Sequence, residues 1–262
     1  MRRALPFLLF LLPFAFPGAS AWCADKTPTP EAKPTLPPFY LAEVKGKVHL
    51  VTWDAEKKQA VRKKAKAPCA VRANDRIVTD KKSRAYFQFK DGGTVEVGPE
   101  SDLFVREIDV TPKTMRARFL LEVGRMKATV KKLTGARSAF EVEAGGVVAG
   151  VRGTTFGVEY DPEEKKTVTK TYEGMIYALS GGKENLVKEG FSLALSGNTS
   201  LAGKLGSEEL GDFAEFLTAA GGLEKKKELL LKQLEKQLLK KVTGGLVGKG
   251  AEEGKKALRF GF

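Results

Sequence analysis

Gly150-Val151-Arg152-Gly153-Thr154-Thr155-Phe156-Gly157-Val158 is the stretch around which the rest of the chain is read. It holds three glycines and one arginine among apolar or β-branched residues, with no histidine, cysteine or carboxylate. That composition suits a tight strand crossing rather than a reaction centre, because glycine tolerates positive φ and lets a second backbone approach. Arg152 stands between apolar neighbours, and a buried guanidinium requires a carboxylate or carbonyl partner. The reading adopted is structural: Val151, Arg152, Gly153, Thr154 and Phe156 form a core motif in which Arg152 ties two β layers together. The competing reading makes Arg152 the holder of an anionic ligand.

Outward from this stretch the sequence reads as short strands separated by turn signals, from Phe39 to about Leu195. Val44, Val48 and Leu50 alternate with Lys45, Lys47 and His49 around a bend at Gly46, which leaves His49 on the outer face. Strands are expected at 77–79, 85–89 and 94–97, with Asp91-Gly92-Gly93 as a hairpin turn. Further strands are expected at 103–105, 115–123 and 125–130, divided by Gly124, then at 140–142, 147–160, 167–172, 175–179 and 192–195. Turns recurring about every ten residues are the spacing of a sandwich, barrel or solenoid, and both sandwich and solenoid stay open here. The segment Asp54–Lys66 is expected as an exposed loop. Its Lys57, Lys58, Arg62, Lys63, Lys64 and Lys66 form a candidate basic patch, together with Lys225, Lys226 and Lys227 further on.

An ordered series of small motifs accompanies these strands: Val44-x-Gly46-x-Val48, Asn74-Asp75-x-Ile77-x-Thr79, Asp91-Gly92, Gly124-x-Met126 and Phe140-x-Val142. Val151-Arg152-Gly153-Thr154-x-Phe156 and Glu173-Gly174 complete it, and the whole resembles the FecR domain family over about residues 39–195. The resemblance implies an all-β, non-enzymatic domain outside the cytoplasmic membrane. In well-known members it senses a TonB-dependent receptor and signals to a sigma factor through a membrane helix. This chain lacks such a helix and a sigma-binding segment, so the resemblance fits the secreted, free-standing members better. It supplies no catalytic residue to transfer.

The N-terminus reads as a leader. Met1-Arg2-Arg3, an apolar run to Phe16 and Ala19-Ser20-Ala21 make a signal peptide over 1–21, with cleavage after Ala21. Cleavage removes Arg2 and Arg3 and no acid, so the formal charge falls from +13 to +11. The expected location is the periplasm or the exterior; lipid anchoring through Cys23 is disfavoured by the bulky Trp22 before it. Such a charge in that compartment points to an envelope protein or an anionic envelope polymer as partner, and away from nucleic acid. Cys23 and Cys69 could pair in an oxidising compartment, or stay as thiols. With His49 the only histidine, no Cys/His metal set can be assembled, and no cofactor is expected. Residues 22–38 are a linker, with five prolines between Asp25 and Pro38.

Residues 196–262 are expected to be helical and lysine-rich after a loop at 196–206. One helix begins at Ser207-Glu208-Glu209, Gly221-Gly222 interrupts, and a second runs from Leu223 to about Val242. Leu223, Leu230, Leu231, Leu234, Leu238 and Val242 form its apolar stripe. Docking on the β domain, self-association into a homo-oligomer or partner binding, and peripheral contact with an anionic membrane are the three uses open to that stripe. The tail from Gly244 is expected to be mobile. Glu141, Glu143, Glu159 and Glu173 lie on neighbouring strands but read as partners for the many lysines, and no ordered set of acid, base and nucleophile emerges. The expectation is therefore a mainly β binding module with C-terminal helices, and not an enzyme.

Overall fold

The computed structural model describes residues 37–257, apart from Ala55, Asp91, Pro112, Thr134, Ala136 and Asn198 and the side chains of Leu238 and residues 241–257. The leader, the linker up to residue 36 and Cys23 lie outside the described residues. Among those described, the chain forms seventeen strands and one helix. The strands are β1 (Phe39–Lys45), β2 (Val48–Asp54), β3 (Gln59–Lys64), β4 (Cys69–Ala70), β5 (Arg76–Thr79) and β6 (Arg84–Phe89). They continue as β7 (Thr94–Val97), β8 (Asp102–Val110), β9 (Met115–Thr129), β10 (Ala139–Ala144), β11 (Val147–Val151) and β12 (Thr155–Asp161). The last are β13 (Lys166–Glu173), β14 (Met175–Ser180), β15 (Lys183–Lys188), β16 (Phe191–Ser196) and β17 (Thr199–Lys204), followed by helix α1 (Ser207–Ala257).

Hydrogen bonding sorts the strands into two sheets joined by β9. The first runs β4–β1–β6–β7–β9–β12–β13–β16–β17, and the second β3–β2–β5–β8–β9–β10–β11–β14–β15. The N-terminal half of β9 pairs with β8 and, in parallel, with β10; its C-terminal half pairs with β7 and β12. Gly124 makes the crossing possible. Its φ is +94°, and a Cβ there would stand 2.7 Å from the Ser101 Cα, so no other residue fits without backbone movement. The two strands expected on either side of Gly124 are thus one bent strand.

After β9 the chain lays hairpins alternately in the two sheets. β10–β11 is followed by β12–β13 in the other sheet, then β14 pairs with β11 and β16 with β13. One core lies between the sheets. Phe39, Phe87 and Phe89 from the first sheet meet Phe119 and Phe140 from the second, with ring centroids 5.7 Å apart for Phe39–Phe119 and 6.0 Å for Phe89–Phe140. Each such fully buried ring contributes roughly 1.5–3 kcal/mol by leaving water.

Four expectations are corrected. The loop expected at 54–66 is the β2–β3 hairpin, because Asp54 caps its turn by accepting from the backbone N–H groups of Glu56 and Lys57. Most of the loop expected at 196–206 is strand β17, so the sheet extends to Lys204 and beyond the domain end expected near Leu195. Gly221-Gly222 does not divide the helix, and the tail from Gly244 stays helical to Ala257, so α1 is one helix where two were expected. Phe216 and Leu223 on either side of the glycine pair are buried, and that packing outweighs the roughly 1 kcal/mol each glycine costs a helix. Arg152, expected in the core, is exposed.

Candidate functional site

The outer face of the first sheet is occupied by α1, and a polar ladder holds it there. Lys170 on β13 bonds to Glu159 at 3.0 Å and to Glu209 of the helix at 3.2 Å. Lys127 on β9, nearly buried, donates to the Asp212 backbone oxygen at 3.0 Å. Burial pushes the Lys127 amine below its ordinary range, against the pull of Glu96 and Asp212. Arg84 pairs with the buried Glu96 at 2.6 Å and reaches Glu215 at 4.0 Å. Apolar contacts finish the seal: Leu223 and Leu234 are buried against Tyr40, Ala42 and Tyr86. Of the three uses open to the stripe, Leu223, Leu230, Leu231 and Leu234 serve docking; the side chains of Leu238 and Val242 lie outside the described residues.

The nine-residue stretch that opened the sequence reading divides into three jobs. Val151 and Phe156 enter the core, where Phe156 packs edge-on against Phe140 at 5.8 Å. Gly153 makes the turn between β11 and β12: its φ is +86°, and a Cβ would stand 2.8 Å from the Lys132 Cα. Thr154 locks that turn by donating from Oγ1 to the Met175 carbonyl at 3.0 Å, while its own carbonyl accepts from Val130 N–H. Gly157 leaves room for the Tyr172 ring, 3.6 Å from where a Cβ would be, and Tyr172 stacks on Phe213 of α1 at 4.2 Å.

Arg152 is the exception. It projects from the locked turn into a depression of about 410 Å³ lined by Ser138, Ala139, Glu141, Gly150 and Tyr177. It makes no ion pair among the described residues. The apolar letters on either side misled because strand alternation stops at Val151, and a residue in the turn is free to face water.

The basic patch divides too. Lys57, Lys58, Arg62, Lys63, Lys64 and Lys66 are all exposed on or beside β3, which is an edge strand of the second sheet. Within this group Lys57 pairs with Asp54 at 3.8 Å and Arg62 hydrogen-bonds His49 at 3.1 Å; the other four make no ion pair among the described residues. Lys225 and Lys226 are exposed on α1, and Lys227 bonds to Glu224 at 3.3 Å. The groove beside the hairpin is lined by Lys63, Leu234 and Gln237, so the part of α1 brought to it is the turn after Leu234 and not Lys225–Lys227. Sequence reasoning missed Trp53, which stands 63% exposed on β2 opposite Ala60. Its alternation with His49 and Val51 on the outer face was the available signal.

Cys69 is half-buried in β4, opposite Leu41. His49 lies on the outer face as expected, hydrogen-bonded to Arg62 and 3.8 Å from Asp80. Glu141 pairs with Arg118, Glu143 with Arg106 and Glu159 with Lys170; Glu173 accepts from the Thr155 hydroxyl. Among the described residues no group of three or more His, Cys, Asp or Glu is arranged to hold a metal ion.

These features define a β scaffold that presents cationic side chains at one edge and holds its own helix against one face. Residues 75–177 match the family model described as FecR protein, and over that span the chain carries a FecR domain. The span includes β5 to β13 and the locked Arg152 turn. A comparison with curated proteins finds no match. Two crystal structures of a protein described as a candidate anti-sigma factor, from Parabacteroides distasonis ATCC 8503, are similar to this chain at 12% identity. Their TM-scores are 0.45 and 0.44, over 53% and 52% of this chain. The aligned parts are 64% and 62% of those chains, so this chain spans less than two thirds of their length.

Proposed function

We propose that the protein is a non-catalytic, FecR-type binding module of the cell envelope that takes an anionic glycan polymer at the β2–β3 hairpin. The observation that carries this reading is the placing of an exposed Trp53 on the hairpin that carries Lys58, Lys63 and Lys64, which make no ion pair among the described residues. An aromatic ring with one free face stacks on sugar rings, and the surrounding ammonium groups answer carboxylates along the same polymer. The family match supports a role in envelope signalling, with polymer binding as the input. The leader expected from Arg2, Arg3 and the Ala19-Ser20-Ala21 site is what would deliver the chain to that compartment.

The test is co-sedimentation of the mature protein with peptidoglycan sacculi across a salt series. Attraction between exposed charges is screened over about 8 Å at physiological salt, so binding should fall steeply as salt rises. Each cation near an anionic surface contributes about 1 kcal/mol, so Arg62→Gln with Lys64→Gln should weaken low-salt binding about thirtyfold. Trp53→Ala should weaken it without changing the salt dependence. Binding that ignores salt, or survives all three substitutions, counts against the hairpin. Vesicle binding by the same hairpin in the absence of sacculus binding would move the ligand from glycan to lipid.

A further inference from the structure

Among the described residues the ladder of hairpins ends in one free edge in each sheet, β15 in the second and β17 in the first. In the second half of the body β14 adds to β11 and β16 adds to β13, so the next place in the alternation is the outer edge of β15. The chain instead leaves β17 for α1, and among the described residues β15 pairs with β14 alone. A free edge offers a row of unpaired N–H and C=O groups to another strand.

We infer that this edge pairs with the same edge of a second copy of the chain, antiparallel and centred on Leu186. The edge strand reads Lys183-Glu184-Asn185-Leu186-Val187-Lys188, and Glu189 opens the turn that follows, its carboxylate accepting from the Gly174 N–H at 3.2 Å. Opposed to itself with Leu186 facing Leu186, it sets Glu184 against the partner's Lys188 and Lys183 against the partner's Glu189, each twice. The registers on either side fail. Sliding by one residue in one direction opposes Lys183 to Lys188, and in the other Glu184 to Glu189. Opposite charges facing each other across strands stabilise by roughly 0.2–1 kcal/mol a pair, and like charges destabilise. The edge is thus self-complementary in one register and repulsive in its neighbours.

Three further observations agree. Lys183, Glu184 and Lys188 are exposed and make no ion pair among the described residues, so their charges are available. Tyr177, Leu179, Leu186, Phe191 and Leu201 are five of the ten exposed large hydrophobic side chains among the described residues, and all five belong to β14–β17 at this end of the body. Tyr177 stands directly across from Leu186, so the central Leu186 contact between copies is extended by a tyrosine on each side. Beneath β15, Val187, Phe191, Leu193 and Ala202 line an opening of about 480 Å³, which strand pairing would close with the partner's Asn185 and Val187. The proline-rich segment between Asp25 and Pro38 is a poor alternative occupant, since proline cannot donate to a ladder.

The experiment measures molar mass in solution for the mature protein by sedimentation over a concentration series. Wild type is expected to dimerise. Glu184→Lys and Lys188→Glu should each weaken the dimer at least tenfold, because each creates two like-charge oppositions. The double variant Glu184→Lys/Lys188→Glu restores every pair in the same register and should recover dimerisation, which a merely damaged surface would not. Circular dichroism confirms that the variants fold, as expected for exposed positions. A wild type that stays monomeric at high concentration overturns the inference. So does a dimer indifferent to the single charge reversals, or a double variant that stays as weak as the singles.

Discussion

Removing the two leucines that seat α1 should free the helix without unfolding the sheets. Leu223 and Leu234 are each 2% exposed, packed against Tyr40, Ala42 and Tyr86 on the first sheet. A buried Leu→Ala change costs about 2–5 kcal/mol in lost transfer energy and residual cavity. Eleven residues of helix separate the two positions by about 16 Å, far enough for the costs to add. The double variant Leu223→Ala/Leu234→Ala should therefore lose about 4–10 kcal/mol of docking energy, up to the limit set by the docking free energy itself. Because the core Phe rings lie on the other side of that sheet, the loss falls on the helix alone. Limited proteolysis and hydrogen exchange read it: cleavage and rapid exchange should appear after Ser207 while β1–β17 stay protected. Leu229→Ala, at a position 59% exposed, is the control and should change stability by no more than about 0.5 kcal/mol. A double variant protected as well as wild type, or a Leu229→Ala change of equal effect, would refute the docking of this face.

Alkaline pH should loosen the same interface. Burial, aided by Glu224, pushes the Tyr40 hydroxyl up to about 12, and burial raises Tyr86 and Tyr172 as well. Native Tyr40 keeps its proton where the unfolded chain gives it up, so its contribution is intact below pH 10 and is lost as pH rises from 10 to 12. At about 1.4 kcal/mol per pKa unit the loss from Tyr40 is at most about 2–3 kcal/mol. Denaturant melts should show it, and Tyr40→Phe should flatten the slope; a stability profile level from pH 9 to 12 would contradict it. Gly153→Ala should cost about 1–3 kcal/mol from its positive φ and the close Lys132 backbone. Arg152→Ala should shift stability by no more than about 0.5 kcal/mol, since the guanidinium is exposed. Thermal melts of the two variants side by side settle which residue of the turn is structural.

Strand alternation and turn glycines made most of the sheet legible, because both are local: a pleat alternates every residue, and Gly46 or Gly153 must turn with positive φ. The edge strands were not. β3 and β17 bury almost nothing, so they carry no apolar period, and the register with β2 and β16 alone makes them strands. The basic residues of the hairpin were visible as a cluster, whereas Trp53 beside them was hidden until its exposure was known.

By itself the sequence determined the β class, the bend at Gly46 and the apolar stripe of the helix, all consequences of short-range sterics and periodicity; it marked Gly124 as irregular but not the continuity of β9 through it. The tertiary structure decided the rest. It turned Arg152 outward, because the guanidinium follows the turn and not the strand before it. It kept α1 whole through Gly221-Gly222, because Phe216 and Leu223 bind it to the sheet on both sides. And it left β15 at an edge, a fact no local pattern contains, because which strand lacks a neighbour depends on where every other strand has gone.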